Sequence, residues 1–327
     1  MSYDVMHQLI AQILDYADGG PVTFGFQGGE PLLAPLSYYR DFVTYAKENN
    51  RHHSPITYTI QTNGMFITHE HAEFFKQNQF LVGISIDGPE DIHNHFRKDG
   101  HGKPSYSSVV RGIRLLMDSK VIPHALTVIT SYNARRIIEV YEHNKSLGIF
   151  HMQFIPVIEL LDGVGFTQSY ALSQDDYAYA LKNLWQQYQT DSQLGAPVSI
   201  RYFDNLSQIS NGRRIEQCGL SGICHAQIVI ESDGSVYPCD FYADDKHRMG
   251  NLMDDDIASI LKSKVMKEFM IDSFYIHNDC MKCDVYQWCR GGCKREHVIT
   301  QNGQHKFKYC DGIKDFLNHI KITNLLE

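Results

Sequence analysis

Eight cysteines carry the most distinctive chemistry in this sequence: Cys218, Cys224, Cys239, Cys280, Cys283, Cys289, Cys293 and Cys310, with none among the first 217 residues. Eight thiols make two sets of four, the number that closes either a cubane iron–sulfur cluster or a tetrahedral zinc site. The run Cys280-x-x-Cys283-x5-Cys289-x3-Cys293 can turn several sulfurs toward one point. Spacing alone does not choose the metal. A zinc knuckle usually closes locally, whereas Cys218, Cys224 and Cys239 spread over twenty-two residues and need a fourth ligand from far away. A disulfide framework suits small exported domains, and the start Met1-Ser2-Tyr3-Asp4 lacks the positive n-region of an export signal.

A second group of candidates stands where strands are expected to end. Gln27-Gly28-Gly29-Glu30-Pro31 follows the apolar run Val22-Thr23-Phe24-Gly25-Phe26. Two glycines at the C-terminal end of a strand let backbone approach a ligand closely, and Glu30 offers an acceptor for an ammonium group. Taken alone, the same residues also make a plain βα turn. Gln61-Thr62-Asn63-Gly64 and Ser85-Ile86-Asp87-Gly88 end the next two strands in polar corners. Three such corners point toward one mouth, and in barrels the mouth is where ligands sit.

The elements that must position these residues follow from periodicity. Val5, Met6, Leu9, Ile10, Ile13 and Leu14 share a helical face that Gly19-Gly20 ends, and Leu36, Tyr39, Phe42, Val43 and Ala46 share another. Strands are expected at 22–26, 57–61, 80–86, 125–129 and 152–155, with helices at 70–76, 107–117 and 133–147. Ser173-Gln174-Asp175-Asp176 reads as a capping box opening a helix that carries Leu181, Leu184, Trp185 and Tyr188. Strands joined by helical crossovers require a parallel sheet covered on both faces, so the class is α/β and the architecture a whole or partial barrel. After residue 205 the texture changes. Gln227–Ile230 and Ser235–Tyr237 flank an Asp233-Gly234 turn and read as a hairpin. Glycine- and cysteine-rich stretches with one short helix near Ile257–Leu261 follow. The chain divides into 1–205 and 206–327, and the second unit is too irregular to hold its shape by core burial alone, a deficit that bound metal would offset.

Length and composition agree with two globular units: 327 residues at roughly 150 per domain, with 43% hydrophobic and 21% charged residues. Thirty basic against thirty-eight acidic residues give a net charge of −8 with no basic run, which argues against a nucleic-acid binder. No apolar stretch approaches the roughly 18 residues of a membrane span, and the chain reads as cytoplasmic.

The GGEP after the first strand, the QTNG, the SIDG followed by His93-Asn94-His95-Phe96-Arg97, and the cysteine series with Tyr237-Pro238-Cys239-Asp240 together resemble a radical S-adenosylmethionine enzyme with a SPASM domain. Within that superfamily the sequence is similar to the anaerobic sulfatase-maturating enzymes over essentially its whole length. The resemblance implies a radical S-adenosylmethionine barrel, here partial and lacking its first strand, followed by a loop-rich SPASM domain. It implies that Gly28, Gly29 and Glu30 hold the amino group of S-adenosylmethionine, and that Gln27, Ser85 and Arg97 complete the site, Arg97 near the carboxylate. It assigns Cys218, Cys224, Cys239 and Cys293 to one auxiliary 4Fe-4S cluster and Cys280, Cys283, Cys289 and Cys310 to another. Such enzymes oxidise a serine or cysteine of a sulfatase peptide to formylglycine: a 5′-deoxyadenosyl radical removes a β-hydrogen, a base takes the hydroxyl or thiol proton, and an electron leaves. Asp240 is the residue that would be the base. A flavodoxin or ferredoxin is the implied electron donor.

One departure stands out. These enzymes hold a further reducing 4Fe-4S cluster through C-x-x-x-C-x-x-C near the first barrel strand, and no cysteine precedes Cys218 here. The expectation is a truncated maturase that does not cleave S-adenosylmethionine as written and whose first remaining strand has an uncovered edge. The competing readings are a non-catalytic peptide-binding or electron-relay iron–sulfur protein, and a zinc-stabilised structural protein.

Overall fold

Alternation of buried and accessible side chains along each strand sets the architecture of the first two thirds of the chain. The computed structural model describes residues 1–158 and 170–322. Six parallel strands, β1 (Val22–Phe26), β2 (Ile56–Thr62), β3 (Leu81–Ser85), β4 (Pro123–Ile129), β5 (His151–Pro156) and β6 (Ser199–Ile200), form one sheet in chain order. Their successive registers begin Val22↔Ile56, Thr59↔Leu81, Val82↔Pro123, His124↔His151 and His151↔Ser199. Val22, Phe24, Tyr58, Ile60, Val82, Ile84, Ala125, Met152 and Phe154 are buried. The alternate positions, among them Thr59, Gln61, Gly83, His124, His151 and Gln153, line a cavity instead. A closed enzyme barrel packs this inner face with branched apolar side chains; here it is polar and open between the edge strands β1 and β6.

Helices α1 (Tyr3–Ala17), α2 (Leu36–Glu48), α3 (His69–Gln77), α4 (Glu90–Phe96), α5 (Tyr106–Asp118), α6 (Ile137–Ser146), α7 (Gln174–Gln193) and α8 (Arg201–Ser210) complete the α/β part. Ser2 caps α1 by accepting from Val5 N, and Asp18, at φ 44°, ends it one residue before the expected glycines. Ser173 caps α7 as anticipated, accepting from Asp176 N. The glycine in α5 is fixed by close approach: a Cβ at Gly112 would lie 2.2 Å from Gly64 O.

The remainder holds a three-stranded antiparallel sheet, β7 (Val229–Ile230), β8 (Ser235–Tyr237) and β9 (Gly250–Asn251), and a hairpin of β10 (His297–Ile299) and β11 (His305–Phe307). The Asp233-Gly234 turn appears where expected, with Gly234 at φ +86°. Helix α9 (Ile257–Leu261) matches its expected span, but it is not the only helix there: α10 (Lys264–Asp272), α11 (Tyr286–Cys289) and α12 (Cys310–Ile322) follow. The last buries Ile313, Phe316, Leu317 and Ile320, a helical face masked in the sequence by its cysteine neighbourhood. Two further elements had no separate sequence signal, namely α4 inside a stretch read as a polar loop and the pair β6–α8. The expected division at 205/206 runs through α8, whose Tyr202, Phe203, Asn205 and Leu206 are all buried.

Two clamps join the parts. Gln12 on α1 donates to Leu252 O at 2.9 Å and accepts from Ile257 N at 2.8 Å. At the other end α12 packs along α7: Phe316 stands 6.4 Å from the Trp185 ring and 5.8 Å from Phe203, Asp311 N donates to Gln174 Oε1, and Lys182 pairs with Asp315 at 2.6 Å. No helix among the described residues is long and apolar enough to cross a membrane. Replacing the fully buried Phe316 with Ala should cost about 3–5 kcal/mol, whereas Asp315→Ala, which breaks only an exposed pair, should cost under about 1 kcal/mol. Chemical denaturation of the two variants checks this, and equal losses would contradict the clamp.

Candidate active site and thiol centres

The polar inner face and the second domain enclose a cavity of about 1090 Å³. Gly25, Gln27, Gln61 and Gly83 line it from the sheet side, and Cys218, Asp240, Cys289, Cys293 and Glu296 from the other.

At the mouth, Gly28 (φ +86°) and Gly29 (φ +51°) both hold left-handed backbone, and a Cβ on either would meet no heavy atom within 4 Å. Conformation, not crowding, demands these glycines, and the space beside them is open to a ligand. Glu30 is heavily engaged within the chain. Its Oε1 accepts from Leu32 N at 3.0 Å and Thr62 Oγ1 at 2.5 Å, and its Oε2 from Asn63 N at 2.7 Å. Of roughly four carboxylate acceptor sites, one on Oε2 remains for an outside donor. Gln61 lies over Gly83, where a Cβ would sit 2.0 Å from Gln61 Oε1, and its Nε2 donates to Ser85 Oγ at 3.3 Å.

Arg97 is no loose surface charge. Its Nε and Nη2 both donate to the Asp87 carboxylate, at 2.5 and 3.2 Å, which leaves three of its five N–H groups. Asp87 is oriented in turn by Val128 N, which donates to its Oδ1 at 3.0 Å. Behind it sits His93, fully buried on α4 and not singled out by the sequence. Asp87 N donates to His93 Nδ1 at 3.3 Å, His93 Nε2 lies 3.0 Å from Ser105 Oγ, and Ser105 Oγ donates to Arg97 O. One tautomer satisfies this chain: neutral imidazole with its proton on Nε2. Burial, chiefly, pushes its pKa down to about 4.

Across the cavity, Asp240 meets the sheet. Gln27 Nε2 donates to Asp240 Oδ2 at 3.1 Å, while Phe241 N and the Cys239 thiol donate to Oδ1 at 3.1 and 3.3 Å. Further in, the His124 and His151 rings stack at 4.7 Å, and Arg201 reaches Gln153 Oε1 at 3.3 Å. Burial, with the charges of His151 and Arg201, holds His124 below its ordinary range. Burial also raises the Glu296 carboxyl to about 7, and its Oε1 has no partner. The cavity residues His124, His151, Arg201 and Glu296 lie on no motif, and nothing in their spacing announces them.

All eight cysteines are free and partly buried. Burial pushes the thiols of Cys239, Cys289 and Cys293 up to about 12, and neighbouring thiols add to the shift in two separate sets. Cys218 and Cys224 act on Cys293, and Cys293 acts on Cys239. Cys280, Cys283 and Cys310 act on Cys289, and Cys280 and Cys283 act on Cys310. The two sets correspond to the two ligand sets of the resemblance. Among the described residues, no three Cys, His, Asp or Glu side chains converge on a point that could hold a single metal ion. Free thiols gathered in fours without that convergence fit a bulkier inorganic core better than a zinc ion at about 2.3 Å from each sulfur.

An open parallel α/β sheet carrying a thiol-rich unit over its cavity defines the class. Residues 3–143 match the radical SAM superfamily and residues 223–284 the SPASM iron–sulfur cluster-binding domain. The chain is 37% identical to a cysteine-type anaerobic sulfatase-maturating enzyme of Clostridium perfringens over 320 residues, covering 98% of this chain and 86% of that one. It is 28% identical to a serine-type anaerobic sulfatase-maturating enzyme of Bacteroides thetaiotaomicron, covering 98% and 81%. Among solved structures, native anSMEcpe with bound AdoMet and Kp18Cys peptide superposes with a TM-score of 0.94 at 37% identity, covering 100% of this chain and 91% of that one. The chain belongs to the anaerobic sulfatase-maturating enzyme family.

The buried neutral His93 makes a signed prediction. The unfolded chain takes up this proton near the ordinary value of 6.5, the folded chain only near 4. Its contribution to stability is therefore full above pH 6.5 and is lost as pH falls to about 4, a change of about 3 kcal/mol. Urea unfolding across this window should show that slope in the native chain and lose it in His93→Gln; an unchanged slope would mean that His93 already titrates normally when folded.

Proposed function

We propose that this chain holds S-adenosylmethionine and a sulfatase peptide in its cavity and serves oxidation of a peptide cysteine or serine to formylglycine. The observation that carries the reading is the Gln27–Asp240 hydrogen bond of 3.1 Å, which joins the ligand-binding mouth to the thiol-rich domain inside one cavity. Gly28, Gly29 and the free acceptor site on Glu30 would take the amino group of S-adenosylmethionine, Ser85 and Arg97 its other end. Cys218, Cys224, Cys239 and Cys293 would hold one auxiliary 4Fe-4S cluster, and Cys280, Cys283, Cys289 and Cys310 the second. When bound, these groups supply hydrogen-atom abstraction at the substrate's β-carbon and one-electron acceptance.

The chain's own residues do the rest. Asp240 receives the proton of the substrate hydroxyl or thiol at Oδ2. Gln27 fixes that oxygen from one side, and Phe241 N holds Oδ1, so the carboxylate cannot swing away from the cavity. Asp87 holds Arg97 by two donors, which keeps its remaining N–H groups aimed as a unit. The second domain covers the polar inner face and limits water at the reacting atoms.

The thiolates of a C-x-x-x-C-x-x-C loop are not among residues 1–327, so cleavage of S-adenosylmethionine has no ligand set within them. Binding is the property to test on the chain as given. A second reading, peptide binding or electron relay without turnover, is favoured by that same lack and is separated by the same experiments. Anaerobic reconstitution should give about eight iron and eight sulfide per chain, two cubanes' worth; about two zinc and little iron would overturn the reading. Asp240→Asn should bind a cysteine-containing sulfatase peptide within about threefold of native. With a C-x-x-x-C-x-x-C segment joined ahead of residue 1, it should lose about 10²–10⁴ in aldehyde formation, the usual worth of a positioned base. Full turnover by this variant would remove Asp240 from the chemistry, and no turnover by its native parent would favour the relay reading.

A further inference from the structure

The charges around the two thiol sets are arranged differently, and the difference centres on Lys294. This residue follows Cys293 directly, yet its side chain is only 17% exposed. Its ammonium lies over two aromatic faces, 4.2 Å from the Phe269 ring centre and 5.3 Å from that of Tyr242, and donates to Phe269 O at 3.2 Å. The carboxylate it pairs with, Asp272, is 3.9 Å away and 72% exposed, so water screens it. The cation acts on the Cys224 thiol, and Cys224 and Cys239 act back on it. Arg201 adds a positive charge toward Cys218, while Asp240 opposes at Cys218 and Glu296 at Cys293.

The second set differs. Lys306 acts on Cys280 and Cys310, but it is ion-paired with Asp279 at 3.0 Å, and Asp279 acts on Cys280 in the opposite direction. Its charge is largely cancelled where it would count.

We infer that Lys294 is a positioned charge that raises the reduction potential of the cluster held by Cys218, Cys224, Cys239 and Cys293, easing electron entry into the cluster beside Asp240. Reduction of a cubane adds one negative charge to it. A desolvated cation nearby stabilises that extra charge more than the oxidised state, and screening by water is weak at a site this enclosed. The inference rests on the proposed reading that the two thiol sets hold clusters. A lysine that only capped the C-terminal end of α10 through Phe269 O would stabilise the fold and leave potentials alone.

The test is potentiometric titration, followed by electron paramagnetic resonance, of the reconstituted 327-residue chain. Its lack of a third cluster's ligands leaves only the two auxiliary signals. Lys294→Met should shift one of the two one-electron equilibria toward the oxidised side by about tenfold, or ~59 mV, and leave the other in place. Lys294→Arg, which keeps the charge, should restore the native value, and Lys306→Met should leave the Lys294-sensitive signal where it was. Should Lys294→Met not retain iron, Lys294→Gln is titrated in its place. Unmoved potentials in a fully loaded neutral variant, equal shifts in Met and Arg variants, or a shift of both signals together would each overturn the role of Lys294. A native chain that takes up no iron would instead overturn the cluster reading itself.

Discussion

The hydrogen bond from Gln27 to Asp240 spans 213 residues of sequence, and it forms only because a domain with little core of its own is pinned over the open end of a sheet. Gln12 ties α1 to the chain around Leu252 and Ile257, and α12 lies along α7 with Phe316 buried between aromatic rings. Between these clamps the second domain is built from strands of two or three residues and short helical turns. Such pieces cannot fix a side chain to within a fraction of an ångström by themselves. Backing from the barrel part supplies the rigidity, and the gathered thiols supply sites where metal binding would add more.

That arrangement also explains the inner face of the sheet. A closed barrel needs apolar layers inside because nothing else fills it. Here the strands present Thr59, Gln61, His124, His151 and Gln153 to a cavity, and apolar burial is left to the outer face, where Phe24, Tyr58, Ile84 and Phe154 meet helices. Stability and ligand space are assigned to opposite faces of the same strands, which the period of two makes possible. The mouth is stiffened by a relay of neutral and charged hydrogen bonds running from Ser105 through His93 and Asp87 to Arg97. Each member is satisfied, so the burial of an imidazole and an ion pair is tolerated.

Much of this was legible in the chain. The βα alternation and its strand spans follow from apolar periodicity, and the polar corners after β1, β2 and β3 do line up at one mouth. What escaped was of two kinds. Helix α12 carries Ile313, Phe316, Leu317 and Ile320 at helical spacing, but short runs of that kind carry little weight beside a cysteine-rich stretch, and only burial against α7 makes the helix decisive. Helix α4 is seven residues with three histidine or arginine-like polar neighbours, and its one buried side chain, His93, looks like any other histidine until Asp87 and Ser105 are seen on either side.

The amino-acid sequence by itself determined the class of chemistry. The number and spacing of the thiols, the paired glycines before Glu30 and the aspartate after Cys239 are covalent facts that no folding changes, and they suffice to mark the family. Tertiary structure alone decided which thiols stand together, that Arg97 is held by Asp87, that Gln27 reaches Asp240, and that Lys294 rather than Lys306 keeps an uncancelled charge beside its thiols. Those outcomes depend on distance and on exclusion of water, which are properties of packing between segments far apart in the chain.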